Sequence, residues 1–420
     1  MRAKSGNILI TILITLCSTH IALADEVPVQ TLQQVYQLVV SKNSGLEAIR
    51  NRSRGVRALV KQANQIPNPE LVLESENFGG DRNDFDESEN TFAVSQVVEL
   101  GGKRSARTAL ATSESQLFEA KAKANLATLL GEVQIAYSNA VLSQTTLTLA
   151  MERSRFTQDI LKTVQEKVRL GGILAGEETK AKIAVQVARI DQQKAENAHQ
   201  NNKRTLASLW NGTAVEVGNL EGSARQERED SLVLPELKDF PKMQVRSLQI
   251  IAARKSLERE RAQAIPDLTL SGGYRRFEET DDGAFVAGLS IPLPVFNRNQ
   301  GSISQASSEV NANEAELQRD MVTTKAELDS LLQMRSVLNQ ERAIIRSSLL
   351  PNSKKGLEQI QEAYRLGRVG YLDLIDSQEV YFDTRVRAAE NLFSLSSNEA
   401  KLRALTGAIL SDFQGAMNEK

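Results

Sequence analysis

The chain has 420 residues, with 51 Lys and Arg against 53 Asp and Glu, a formal net charge of −2. Aromatic residues make up 5%, with one tryptophan, Trp210, and one cysteine, Cys17. This excludes a disulfide framework and a basic nucleic-acid footprint, and the abundance of Ala, Gln, Glu, Lys, Arg and Leu points to long helices joined along thin apolar seams.

The N-terminus reads as a signal peptide over 1–24. Arg2 and Lys4 are basic, Ile8 to Ala22 is apolar but too short to span a bilayer, and Ala22-Leu23-Ala24 is a small-residue cleavage site before Asp25. Leu16 precedes Cys17 where lipidation needs a small residue, so no lipid anchor is expected. The mature chain would carry 49 basic and 53 acidic residues and no cysteine.

Two halves follow, 25–235 and 236–420. Residues 66–104 predict a β-hairpin near 70–98, with strands near 70–78 and 91–98 around an acidic turn. Residues 104–168 contain no proline and only Gly131, and Leu126, Leu130, Val133, Tyr137 and Val141 recur at helical spacing. At 1.5 Å per residue such a helix is about 100 Å long. A turn, "VRLGG", is expected near 169–175, then a returning helix ending in "LASLWNG" at 206–212. The second half repeats the order. A β-hairpin is expected near 267–291, with strands near 267–277 and 284–291. A long helix follows with Pro351 as its one expected kink, then a turn, "YRLGRVG", near 366–372 and a helix ending in "LRALTGA". Arg169 and Arg365 lie 196 residues apart, and Ile66-Pro67 and Ile265-Pro266 lie 199 apart. The chain is a tandem duplication.

Phe285, Ala287, Leu289 and Ile291 alternate with Val286, Gly288 and Ser290, and Leu71 and Leu73 alternate with Val72, Glu74 and Glu76. One apolar and one polar face suits a transmembrane barrel, but four strands are too few to close one, so oligomerisation is required. A soluble hairpin packed on its own helices is the competing reading of this periodicity.

The segments "SQVVELGGKRSAR" (95–107) and "SIPLPVFNRNQG" (290–301), with the two Arg-Leu-Gly turns, resemble the TolC family of outer-membrane channel proteins, and within it the CzcC-type components of heavy-metal efflux. The resemblance spans essentially the whole mature chain. It implies a mostly α fold with a transmembrane β part: long α-helical hairpins and two β-hairpins per chain, trimerising into a 12-stranded β-barrel and a periplasmic α-barrel. It further implies an outer-membrane location, contact with outer-membrane lipid, a periplasmic adaptor (membrane fusion protein) and a proton-driven inner-membrane pump of the RND type. The substrate implied is a heavy-metal cation, with drug efflux or type I protein secretion as alternatives and a periplasmic coiled-coil scaffold as a further one.

Each Arg-Leu-Gly falls where one long helix ends and its partner returns, and glycine permits the positive φ that ends a helix. By resemblance these tips, Arg169, Leu170, Gly171, Arg365, Leu366 and Gly367, dock the adaptor. The same resemblance makes Tyr364, Arg368, Asp373 and Asp376 a periplasmic gate. Asp373 and Asp376 are three apart and share a helix face, so a trimer would ring the mouth with six carboxylates, held by Arg365 or Arg368. In the first half Glu177 and Glu178 are adjacent and face different ways.

No enzymatic site is expected. His199 would be the sole histidine of the mature chain, on a polar stretch that reads as solvated surface. No Cys/His cluster supports a zinc site, "LGGKRS" lacks the first glycine of a phosphate loop, and "DRNDFDESE" (81–89) lacks the central glycine of a calcium loop. No catalytic, cofactor or metal residues are expected, and no nucleic-acid partner.

Overall fold

A computed structural model describes residues 30–80, 85–222 and 234–411. The expected leader at 1–24 and part of the acidic turn, 81–84, lie outside the described residues. Eight α-helices and four strands are described, in the order α1 (Leu32–Lys42), α2 (Ser44–Ala63), β1 (Glu70–Glu76), β2 (Glu89–Val98), α3 (Lys103–Arg169), α4 (Ala175–Ser208), α5 (Pro241–Gln263), β3 (Leu268–Phe277), β4 (Asp282–Ser290), α6 (Gln300–Ile344), α7 (Leu350–Arg365) and α8 (Tyr371–Thr406).

The 67 residues of α3 form a rod about 100 Å long. Its seam is the one its spacing predicts: Leu130, Val133 and Tyr137 are fully buried against Val35 and Val39 of α1 and against Leu206 of α4 and Trp210 just past its end. The Tyr137 hydroxyl shares its one proton between the Gln30 and Glu221 carbonyls, 2.8 and 2.7 Å away, and burial pushes its pKa up to about 12. Gly131 lets α8 approach: a Cβ there would sit 3.0 Å from Ala404 Cβ. Across the same contact Ser138 and Ser396 share a hydrogen bond of 2.7 Å.

The second rod is continuous from Gln300 to Arg365. The kink expected at Pro351 is taken up by a π turn at Ile345–Leu349. Proline has no N–H for the preceding turn and its ring crowds the carbonyl four residues back, so a wider turn before it keeps the helix running. Beside this rod, α5 is held to α6 by Arg246, whose Nε lies 2.7 Å from the buried Asp320 carboxylate. Burial alone would raise the Asp320 pKa, but hydrogen bonds from Arg246 and Arg319 and the nearby Lys242 hold it below the usual carboxylate range.

The two halves reuse the same backbone devices. Both long rods start after a residue in the left-handed region, Gly102 (φ 72, ψ 21) and Asn299 (φ 58, ψ 23). Both return helices end beside another, Asn211 (φ 59) and Gly407 (φ 80). The hairpins do not stay separate: the strands form one antiparallel sheet in the order β1-β2-β3-β4, in which β2 of the first half pairs with β3 of the second.

Candidate channel wall and docking tips

The register of the sheet sorts its side chains by face. Leu71, Val94, Phe92, Leu73, Leu270, Tyr274, Phe285 and Leu289 fall on one face through the pairs Leu71–Val94, Leu73–Phe92, Phe92–Tyr274, Leu270–Leu289 and Tyr274–Phe285. All eight are exposed in the single chain, Phe285 by 92% and Leu71 by 70%. The opposite face carries the Arg275 guanidinium, 2.8 Å from Glu89, 3.1 Å from Glu76 and 2.9 Å from Thr91. A soluble hairpin would bury the apolar face on its own helices. Here that face is bare, and β1 and β4 each offer an unpaired edge. Among the described residues no helix is long and apolar enough to cross a membrane.

At the other end of the rods, Arg169, Leu170, Gly171, Arg365, Leu366 and Gly367 occupy two turns with one geometry. Gly171 (φ 73) donates to the Val168 carbonyl and Gly172 to that of Lys167. Gly367 (φ 71) donates to Tyr364 and Arg368 to Ala363. This double bond pattern with a left-handed glycine satisfies the orphan carbonyls of a helix end. Each arginine pairs with the glutamate three residues before it, Arg169 with Glu166 and Arg365 with Glu362 at 2.7 Å. The repeated motif is therefore Glu-x-x-Arg-Leu-Gly. Its glutamates lie in the sequence at the same 196-residue offset. The leucines point outward, Leu170 71% and Leu366 49% exposed.

The two tips are joined by reaching side chains. Lys167 on α3 donates to the Tyr364 carbonyl at 2.6 Å and lies over the Tyr364 ring at 4.0 Å. Tyr364, Tyr371 and Leu374 are buried with Ile160 and Val164 in a cluster spanning both hairpins. Burial raises the Tyr364 pKa, with a further push from Glu177. Burial raises that of Tyr371, with Tyr364 and Glu177 adding to it. The two hydroxyls and Glu177 Oε2 are buried without a hydrogen-bond partner.

The profile of the family described as outer membrane efflux protein matches residues 35–212 and 236–408. The chain belongs to that family. It is 27% identical over 376 residues, 85% of each chain, to the cobalt-zinc-cadmium resistance protein CzcC of Cupriavidus metallidurans. The nickel-cobalt-cadmium resistance protein NccC of Alcaligenes xylosoxydans xylosoxydans is 22% identical over 73% of this chain and 70% of its own. Among solved structures the fold matches the CmeC outer membrane channel of Campylobacter jejuni with a TM-score of 0.77, at 14% identity, over 92% of this chain and 89% of that one.

In this outer membrane efflux protein, the residues read as a gate differ in their surroundings. Asp373 and Asp376 are exposed on α8, with Asp373 Oδ2 accepting the Gly370 N–H at 2.9 Å as a helix cap. Arg365, one of the two arginines named to hold them, is paired with Glu362, its own neighbour on the helix. Arg368 is exposed, and Tyr364 is turned inward and 4% exposed. His199 is a correction of another kind. It is not fully solvated but half-buried, 3.3 Å from the Ser143 hydroxyl, and burial together with Lys203 lowers its pKa. Nothing in the sequence pattern marks Lys167 or Tyr371 as part of the tips, whereas Glu166 and Glu362 carry the repeat offset as their signal. Glu177, named in the sequence only as the neighbour of Glu178, has its Oε2 buried beside the tyrosines.

Proposed function

We propose that three copies of this outer membrane efflux protein close into a passive conduit that carries heavy-metal cations across the outer membrane. The observation that carries this reading is the sheet with one bare apolar face, one charged face and two free edges. Three four-stranded sheets supply 3 × 4 = 12 strands, within the range of bacterial barrels, with the apolar face toward lipid and the Arg275 face toward water. The helical part supports the same closure. Ile183, Val187 and Ile190 form an exposed stripe along α4, and Val337 and Ile344 another along α6, with no partner helix among the described residues. The names of CzcC and NccC support divalent metal cations as cargo.

In this reading the exposed tips at Arg169, Leu170, Gly171, Arg365, Leu366 and Gly367 meet a periplasmic adaptor, through which a proton-driven inner-membrane pump feeds the conduit. The leucines serve as apolar knobs, because the arginine charges are already matched by Glu166 and Glu362. Asp373 and Asp376, with Arg368 and Tyr364 beside them, gate the mouth, where exposed carboxylates favour cations without holding them tightly. The 1–24 segment is a leader removed on export, and 25–235 and 236–420 are the two structural repeats. The test is deletion of the gene with growth scored across cobalt, zinc, cadmium and nickel salts, dyes and antibiotics. Metal sensitivity of the deletion, with tolerance restored by the wild-type chain but not by a Leu170→Asp, Leu366→Asp variant that still reaches the outer membrane, is the expected result. Sensitivity to dyes and antibiotics alone overturns the cargo assignment.

A further inference from the structure

Where β2 runs into α3, the chain makes a compact joint with the segment entering β3. The Leu100 N–H donates to Asp267 Oδ1 at 3.0 Å, and Lys103 Nζ lies 2.7 Å from the same oxygen. Both charged side chains are largely withdrawn from water. Gly101, at φ 68, sits so close to Ile265 that a Cβ there would lie 2.6 Å from Ile265 Cδ1. This joint connects the two halves of one chain, and each of its sides has a counterpart in the other half. Ile265-Pro266-Asp267 corresponds to Ile66-Pro67-Asn68. Gly102-Lys103 corresponds to Asn299-Gln300, since Gly102 and Asn299 are the left-handed residues that start the two rods. The counterparts do not meet in the single chain. They lie at the entry of β1 and the exit of β4, the two outer strands of the sheet, and Ile66, Asn68 and Gln300 are all exposed.

We infer that neighbouring copies are joined by a repeat of this internal joint, with Asn68 of one copy against Gln300 of the next in the place of Asp267 and Lys103. The inference rests on the ring reading above. Its chemistry is supported by a paired change: the acid and the base of the internal joint are both replaced by amides, so donor still meets acceptor and neither partner buries an unmatched charge. In the single chain Gln300 Oε1 accepts the Arg298 N–H at 2.9 Å and Nε2 donates to the Phe296 carbonyl at 3.3 Å. The amide nitrogen has a second hydrogen, which suffices to reach Asn68 Oδ1 without breaking either bond.

The pairings within the sheet set the register between copies. Inside the chain Val94 pairs with Gly272 and Gln96 with Leu270. The hairpin pairs Leu71–Val94 and Leu270–Leu289 put Leu289 in the position of Val94, and the Ile-Pro landmarks put Leu73 in that of Gly272. Leu289 then faces Leu73 of the next copy, and Ile291 faces its Leu71. All four lie on the bare apolar face, which stays continuous across the seam, whereas a slip by one residue would turn Leu71 and Leu73 to the polar side.

The experiment uses the full chain in detergent, bearing Asn68→Cys and Gln300→Cys, with Cys17 as its only native cysteine and that in the leader segment. Treated with a short bismaleimide, it should give a ladder of linked copies on a denaturing gel. Either single variant should give no ladder beyond a pair. Lys103→Cys with Asp267→Cys should link within one chain and leave its mass unchanged. A second pair, Asn68→Asp with Gln300→Lys, carries the charges of the internal joint to the seam and should give the same ladder with a zero-length carbodiimide. Light scattering on each sample separates the failures. Trimers that give no ladder with either pair overturn this joint while the ring stands, and monomers overturn the ring and the joint together.

Discussion

The two hairpin tips have one backbone and different side-chain work. Offset by 196 residues, Lys167 corresponds to Ala363, Val168 to Tyr364, Ala175 to Tyr371 and Glu177 to Asp373. Asp373 is short enough to fold back on the Gly370 N–H of its own helix. Glu177, one methylene longer and at the same helical position, leaves its oxygen toward Tyr364 and Tyr371 of the other hairpin. The first tip thus supplies the side chains that reach, and the second supplies the aromatic bed that receives them. Duplication preserved the turn, because glycine with φ near 70° is the conformational requirement, and left the packing free to diverge.

Breaking the bed should have the largest effect. Tyr364→Ala removes a ring that is 4% exposed and should cost about 3–5 kcal/mol, whereas Val168→Ala at the corresponding site should cost about 1 kcal/mol. Hydrogen exchange across α7 and α8 reads both, and equal losses would show that the tips are not differentiated. Next, Lys167→Met deletes a charged bond to the Tyr364 carbonyl and a ring contact, and should cost about 1.5–3 kcal/mol in the same measurement, with Ala363→Gly well below it. Gly171→Ala and Gly367→Ala should each cost about 1 kcal/mol and by similar amounts, since both glycines are left-handed with open space at Cβ. A large inequality would mean the turns differ in backbone as well.

The smallest effects sharpen the picture. Tyr364→Phe deletes a buried hydroxyl without a partner, so it should be neutral or slightly stabilising, unlike the usual loss of a tyrosine hydrogen bond. Because burial raises the Tyr364 and Tyr371 pKa values, the neutral phenols stabilise the joined tips. That contribution is fully present below the ordinary tyrosine value near 10 and is lost as pH rises through the elevated folded values. Exchange protection at the tips should therefore fall only in strong alkali, and Tyr364→Phe should weaken that dependence.

The expected strand ranges fell within two residues of the observed ends. Alternation over several residues is a local signal, as is a run without proline or glycine. The tips were legible for the same reason, since a helix end with Arg-Leu-Gly needs only its own few residues. The partners across the hairpins were not. Lys167 reads as one more lysine on a charged helix, and nothing local says that Tyr364 turns inward while Asp373 caps its own helix.

From the sequence alone the chain is a duplication of long rods, tight turns and amphipathic strands, because periodicity, prolines and glycines act over one or two helical turns or a strand, and a repeat shows itself by recurring local motifs. Only the tertiary structure decided that β2 pairs with β3, that α8 rests on α3 at Gly131, and that Lys167 and Glu177 reach the tyrosines of the other hairpin. Those contacts join residues far apart in the chain, Lys167 and Tyr364 by 197 positions and Gly131 and Ala404 by 273. Which of several similar apolar faces meet is set by the packing of whole rods, and no local pattern contains it.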